Sequence, residues 1–305
     1  MARILWYRLW RGVLTVWFVL TVAFVTPRLV GDPARSLLPE DATPAEQAEL
    51  RARLGLDLPL TRQYVAYLGN VLRGDFGESF AERRPATETV LERVPATLQL
   101  GGIALALSVL LGVGGGVLAA TRREGPWDRL LTAGALVGQA VPNFVLGVAL
   151  ILVFSLALRW LPSGGREGWH SLVMPVATLA AASSAWLLRL TRGVMLDLAE
   201  QDFVRTAHAK GVGAASVALK HVLRNACLPV LTLLGLRAGA LVAGSVVVET
   251  VFAWPGVGRL LVHAVVTRDF PVIQFAVVLV SVSVVVANLL VDLLYGVVDP
   301  RVRTS

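Results

Sequence analysis

One cysteine, two lysines and few charges of any kind are the scarcities that bound this chain. Cys227 stands alone, so no intrachain disulfide can form; at a helix start it is either a small packing residue or a reactive thiol. The lysines are Lys210, followed by Gly211, and Lys220, followed by His221. Neither can be the lysine of a G-x-x-x-x-G-K-S/T phosphate loop, whose backbone amides would cradle a nucleotide. No H-E-x-x-H zinc motif occurs, and His170, His208, His221 and His263 are scattered. Gly74-Asp75 falls in a long polar loop rather than in an apolar run, so it is no intramembrane aspartyl-protease pair. No catalytic residue, metal site or resident cofactor is therefore assigned.

The shortage of charge has a pattern. Charged residues are 16% of the 305, against roughly 25% in soluble domains. Hydrophobic residues make up 55%, and the mean hydropathy is +0.68. Gly12–Pro27, Val94–Thr121, Leu130–Leu158, Gly168–Leu188 and Phe270–Val291 contain no Asp, Glu, Lys or Arg, and Asn225–Val248 contains only Arg237. A spanning helix needs about 20 mainly apolar residues. The first run is a few residues short, and Arg11 and Arg28 can supply the difference by snorkelling. These runs predict an all-α membrane protein with six transmembrane helices. The first run has the n- and h-regions of a signal peptide but continues into Pro27-Arg28-Leu29-Val30 rather than a small-residue cleavage site, so a retained helix is expected.

The arginines give an orientation. Arg3, Arg8, Arg11, Arg122, Arg123, Arg129, Arg189, Arg192, Arg205, Lys210, Lys220, Arg224, Arg301 and Arg303 fall on one side. The opposite short loops hold only Arg159, Arg166, Arg259 and Arg268. The positive-inside rule then puts both termini in the cytoplasm. The net charge of +7 is accounted for by cytoplasmic arginines near anionic lipid, without nucleic acid.

Between the first two runs lies a 66-residue external loop, Gly31–Ala96, with eight Arg against eleven Asp or Glu. Thr43-Pro44-Ala45-Glu46 is a capping box that Gly55 can close. A second helix is expected from about Pro59 to Arg73, with Leu60, Tyr64, Tyr67, Leu68 and Val71 on one face and Gly74 as its stop. A third is expected over Thr87–Val94. The apolar faces serve either packing or the docking of an external protein.

Inside the runs, Gly112/Gly116 and Gly235/Gly239 are small-xxx-small pairs that favour close helix packing. Pro142 should kink the third run, flanked by Gln139 and Asn143, which face either a wet pathway or satisfied structural partners. Arg237 and Glu249 are 12 residues apart, near 18 Å along a helix, so they cannot pair within it. Glu249 either touches solute or fixes the turn Trp254-Pro255-Gly256-Val257-Gly258 that follows it.

Eight segments now matter together: LGLDLPLTRQY from Leu54, GDFGES from Gly74, VPATLQL from Val94, DFVRTAHAKG from Asp202, HVLRNACLPVLT from His221, VVVETVFAWPGVGRLL from Val246, RDFP from Arg268 and NLLVDLLYGVVDPR from Asn288. In this order the chain resembles the permease subunits of dipeptide, oligopeptide and nickel ABC importers, specifically the first of their two membrane subunits. It departs at His208, where the pattern leads one to expect arginine, and at Arg237, where a neutral polar residue is expected.

The resemblance implies a type I ABC importer permease fold in a bacterial inner membrane. It also implies a second homologous permease subunit, two cytoplasmic ATPase subunits that bind ATP and Mg, and an extracytoplasmic solute-binding protein. The implied organisation is an N-terminal transmembrane helix over 1–30, an extracytoplasmic loop over 31–96, an ABC transmembrane domain over 94–299 and a tail over 300–305. A polar, basic loop over about 200–225 would be the coupling loop to the ATPases, with Asp202, Arg205, Ala207, His208, Ala209, Lys210, Gly211, Gly213, His221, Arg224 and Asn225 as its residues. Gln139, Pro142, Asn143, Arg237 and Glu249 are the pathway candidates, and Pro255, Gly256 and Gly258 form the external turn. Peptide is the favoured cargo, with nickel or another small solute as the alternative. A stand-alone secondary transporter or channel would require an inverted repeat with paired broken helices, and none is visible; a purely structural scaffold is the remaining class.

Overall fold

Apolar segments that leave water must satisfy their backbone internally, and helices do so within one segment. A computed structural model describes residues 2–30, 43–53, 55–227, 229–230 and 245–298, and every regular element among them is a helix. Four helices are long and apolar enough to cross a membrane. They are α1 (Ala2–Val30), α5 (Val94–Thr121), α8 (His170–Ala199) and α13 (Phe270–Val298). Most of the expected span Asn225–Val248, with Arg237 and the Gly235/Gly239 pair, lies outside the described residues, as do Met1 and Ser305.

The third run departs from its expectation. It forms two helices, α6 (Pro126–Ala140) and α7 (Asn143–Leu150), the latter running on as a π-helix to Ala157, bent by 102° at the break. A proline disfavours the helical conformation in the residue before it, and Val141 is extended at φ −84°, ψ 120°. Pro142 therefore ends one helix and caps the next, and does not merely kink one span; the pair counts as at most a fifth span.

The described chain divides into two units, one of Ala96–Gly258 with the residues from Val286 onward, the other of Ala2–Pro95 with Arg259–Val285. In the first unit α6 packs along α8, and α5 meets α8 through its glycines. A Cβ at Gly112 would lie 2.7 Å from Leu187 Cβ and one at Gly116 would lie 2.6 Å from Thr191 Cβ, so larger side chains would push the helices apart. Leu100 and Ala104 of α5, Met174 and Leu179 of α8, and Phe252 and Trp254 belong to one core cluster in it.

The second unit holds the external loop helices α2 (Pro44–Arg53), α3 (Leu60–Leu72) and α4 (Ala86–Leu91). The capping box forms: Glu46 Oε2 accepts from the Thr43 amide and hydroxyl at 2.8 Å each, and Thr43 Oγ1 accepts from the Glu46 amide at 3.3 Å. Those bonds, the backbone one first, hold the Glu46 carboxyl below its usual range. The third helix stops at Leu91, short of the expected Val94, because Val94 already opens α5. Of the apolar face of α3, Tyr64 and Tyr67 pack against Phe24 of α1, with ring centroids 5.1 and 5.4 Å away. Burial pushes the Tyr67 phenol up to about 12. Leu60 is 63% exposed and takes no part in that packing.

Pro27 lies inside α1 and has no N–H to give the Ala23 carbonyl four residues back. Gln274 of α13 fills the vacancy, its Nε2 donating to Ala23 O at 3.1 Å. Gln274→Leu should cost about 1–3 kcal/mol by orphaning that carbonyl. In a Pro27→Ala background the restored amide should abolish most of that cost, and unfolding in mixed detergent micelles measures both. Equal losses in the two backgrounds would remove this role from Gln274.

Candidate functional site

The basic loop after α8 is compact. Helix α9 (Asp202–Ala209) starts after an extended Gln201, with Asp202 in its first turn, where a carboxylate suits the positive helix end. Val204 and Ala207 are buried in a cluster with Met195, Val217, Val222 and Ala226. Ala207 therefore packs against the chain's own helices and lies off the outward face. That face carries Asp202, Arg205, His208, Ala209 and Lys210, all exposed. The Arg205–Asp202 pair at 3.4 Å is open to solvent, 76% and 96% exposed, so it contributes little and leaves both charges available.

The end of α9 is set by Gly211. Its amide donates to His208 O at 2.9 Å and the Val212 amide to Ala207 O at 3.2 Å, the two bonds of a Schellman turn. Gly211 has φ +78° and nothing of this chain within 4 Å of where a Cβ would stand. Gly213, exposed, caps α10 (Ala214–Ser216), which continues as a π-helix over Val217–Val222 and helically over 223–227. His221, Arg224 and Asn225 are exposed there, with Asn225 Nδ2 donating to His221 O at 2.6 Å. The loop thus presents one polar face ending in a bare left-handed turn, with its apolar face committed inward.

Glu249 belongs to α11 (residues 245–251) and is fully buried. Thr97 links two segments: its hydroxyl donates to Glu249 Oε1 at 2.8 Å and accepts from the Val257 amide at 2.9 Å. Trp254, also fully buried, donates from Nε1 to Ala96 O at 2.9 Å, and its amide donates to Glu249 O at 2.8 Å. A Cβ at Gly256 would fall on the Glu249 carboxylate, and one at Gly258 would lie 2.6 Å from Val246 Cα. Of the two roles open to Glu249, the geometry supplies the anchoring of the Trp254–Gly258 turn, at whose start Pro255 is fixed. Sequence reasoning did not find Thr97 or Ala96; the VPAT segment holds them, but nothing local pairs them with residues about 150 positions away.

Of the other pathway candidates, Gln139, Pro142 and Asn143 lie at the break between α6 and α7, and Arg237 lies outside the described residues. Gln139 accepts from Arg189 Nη1 at 3.1 Å, tying α6 to α8. Asn143 is the first residue of α7 after Pro142. A tie the sequence reading missed lies nearby. Arg192 donates from Nε and Nη2 to the two Asp128 oxygens at 2.6 and 2.8 Å. Asp128 also accepts from the Glu124 amide at 2.9 Å and Thr132 Oγ1 at 3.2 Å. Its place in the first turn after Gly125-Pro126 was the available signal.

Known proteins match along nearly the whole chain. Residues 112–304 match the family of binding-protein-dependent transport system inner membrane components, and residues 1–101 match its N-terminal membrane-component family. The glutathione transport system permease protein GsiC of Escherichia coli (strain K12) is 42% identical over 290 residues, 95% of each chain. The protein of the same name from Salmonella paratyphi A is 43% identical over the same share. Among solved structures, a chain of the MetNI methionine ABC transporter, crystallised in inward-facing conformations, matches with a TM-score of 0.60 at 18% identity. That match covers 69% of this chain and 96% of the other, and it bears on the fold alone.

Proposed function

The chain belongs to the family of binding-protein-dependent transport system inner membrane components, and from that premise we propose that it forms half of a translocation pathway for short peptides. It is a multi-pass permease subunit of a bacterial ABC importer, in a family that works with ATPase and binding-protein partners. A second homologous membrane subunit completes the pathway, two cytoplasmic ATPase subunits drive it, and an extracytoplasmic binding protein delivers the cargo. The chain itself holds no nucleotide: ATP and Mg belong to the partner subunits. The observation that carries the cargo is the 42% identity, over 95% of both chains, to a glutathione permease. Glutathione is itself a short peptide.

In this reading the outward face of α9 and the Gly211 turn dock on the ATPases. Closure of the ATPase pair on ATP moves the docked α9, and the polar ties of α6 to α8 carry the displacement as a rigid-body shift. Binding energy at the ATPases biases the two states only so far as it differs between them.

The test is uptake by cells expressing the complete importer, with labelled glutathione, dipeptides and nickel offered separately. Peptide uptake should require this chain, ATP and the binding protein, while the purified chain alone should hydrolyse Mg-ATP no faster than a blank. Uptake of nickel without peptide would replace the cargo; robust hydrolysis by the isolated chain would overturn the division of labour.

A further inference from the structure

An apolar groove of about 430 Å³ runs along the second unit between α1 and α13, lined also by Val265 of α12 (Val257–Thr267) and by Arg268. Phe18 and Val22 of α1 line one wall, Ile273 and Val277 of α13 the other. These wall residues lie within helices apolar enough to cross the membrane, and Phe18 and Val22 are 62% and 47% exposed. In hydrocarbon such exposure needs no protein cover, so the apolar part alone would say only that lipid is near.

Arg268 makes the site specific. It occupies the left-handed position that ends α12, with φ +54°, where the Asp269 amide donates to Ala264 O at 2.8 Å and the Arg268 amide to Val265 O at 3.3 Å. Glycine is the usual residue there, because a Cβ in this conformation costs roughly 1–2 kcal/mol. A long cationic side chain is held at that position instead. Its neighbour Asp269 makes no ion pair with it: Asp269 is buried, and its Oδ2 accepts from Ser79 Oγ at 2.5 Å and the Ala81 amide at 3.3 Å. Arg28, the other arginine near this end, is engaged with Phe24 O at 2.6 Å and Gln63 Oε1 at 2.7 Å. Among the described residues the Arg268 guanidinium has no carboxylate or hydrogen-bond partner, and Arg268 lines the groove.

We propose that this groove is a binding site for one anionic phospholipid, its acyl chain along Phe18, Val22, Ile273 and Val277 and its headgroup phosphate on Arg268. A fork of guanidinium donors suits phosphate. A zwitterionic headgroup brings its own cation against the arginine, so a net negative lipid is preferred. The groove's lining residues belong to neither the α9 loop nor the Trp254–Gly258 turn, and its occupant comes from the membrane itself.

The test is native mass spectrometry of the full chain, alone and in the assembled importer, exchanged into mixed phosphatidylglycerol and phosphatidylcholine. One phosphatidylglycerol should be retained in preference to phosphatidylcholine in both samples. Arg268→Gln should abolish the preference, Arg268→Lys should restore most of it, and Val22→Trp should displace the lipid by filling the groove. Arg62→Gln, an exposed arginine on α3, should change nothing. Equal retention of the two lipids, or a preference that survives Arg268→Gln, overturns the proposal. Loss of the lipid on assembly also overturns it, and assigns the groove to the partner subunit.

Discussion

Gly211→Val is expected to reduce peptide uptake to background while leaving the chain inserted and abundant. Two effects act together. Gly211 has φ +78°, and a β-branched residue there strains the turn by more than the roughly 1–2 kcal/mol that any Cβ costs in the left-handed region. That strain falls on a surface turn, away from the packing of α5 on α8, so the bundle persists. The second effect is steric and intermolecular: nothing of this chain lies within 4 Å of the missing Cβ, so the bare position is not required by the chain's own packing. If an ATPase cleft receives the turn, a side chain obstructs it. Gly211→Asn separates the two effects, because asparagine tolerates the left-handed conformation. Uptake, stimulated ATPase turnover and co-purification of the ATPases should all fall in the valine variant, and the asparagine variant should fall with it. Normal transport by the asparagine variant alone would confine glycine's role to the turn. Normal transport by both would reduce the loop to a connector.

What was legible in the sequence was local or repetitive. The capping box at Thr43 and Glu46, the stop at Gly74 and the close-packing pair Gly112/Gly116 rest on spacings of a few residues, and all three appear as expected. Uncharged runs located the spans because hydrocarbon excludes charge along a whole segment. The reading at Pro142 stopped at a kink and missed the full break, since a run counts polarity and carries no direction. The side chains that join distant segments were equally out of reach. Arg192 meets Asp128 from 64 positions away, Thr97 meets Glu249 from 152, and Ser79 meets Asp269 from 190. Each end of such a pair, taken alone, is an ordinary polar residue near a helix end. Its partner is chosen by packing, and a single sequence does not record that choice. Glu249 shows the consequence: its position beside an apolar run suggested either solute contact or a structural anchor, and only the enclosing turn supplies contacts of the second kind. Arg237, the other charge weighed with it, lies outside the described residues.

The enclosure of Glu249 leads to a large and specific stability effect. Gly256→Ala places a methyl group where the carboxylate stands, and overpacking of this kind costs about 1–3 kcal/mol. Glu249→Ala removes the acceptor of the Thr97 hydroxyl in a fully buried site, a loss of about 1–3 kcal/mol or more for a charged partner. If the two groups compete for one volume, the double variant gains room for the methyl and should be less destabilised than the sum, by about 0.5–3 kcal/mol. Unfolding midpoints in mixed detergent micelles, for wild type, both single variants and the double, give this coupling directly. Additive costs would mean that Gly256 accommodates something other than the carboxylate. Transport supplies a second, independent readout. A turn anchor, when removed, lowers the amount of assembled importer but leaves the ranking of cargoes unchanged per assembled complex. A solute contact does the reverse, so Glu249→Gln, which keeps an acceptor oxygen for Thr97 but removes the charge, should preserve the ranking per assembled complex. A shift in cargo ranking in that variant, at undiminished stability, would return Glu249 to the pathway despite its burial.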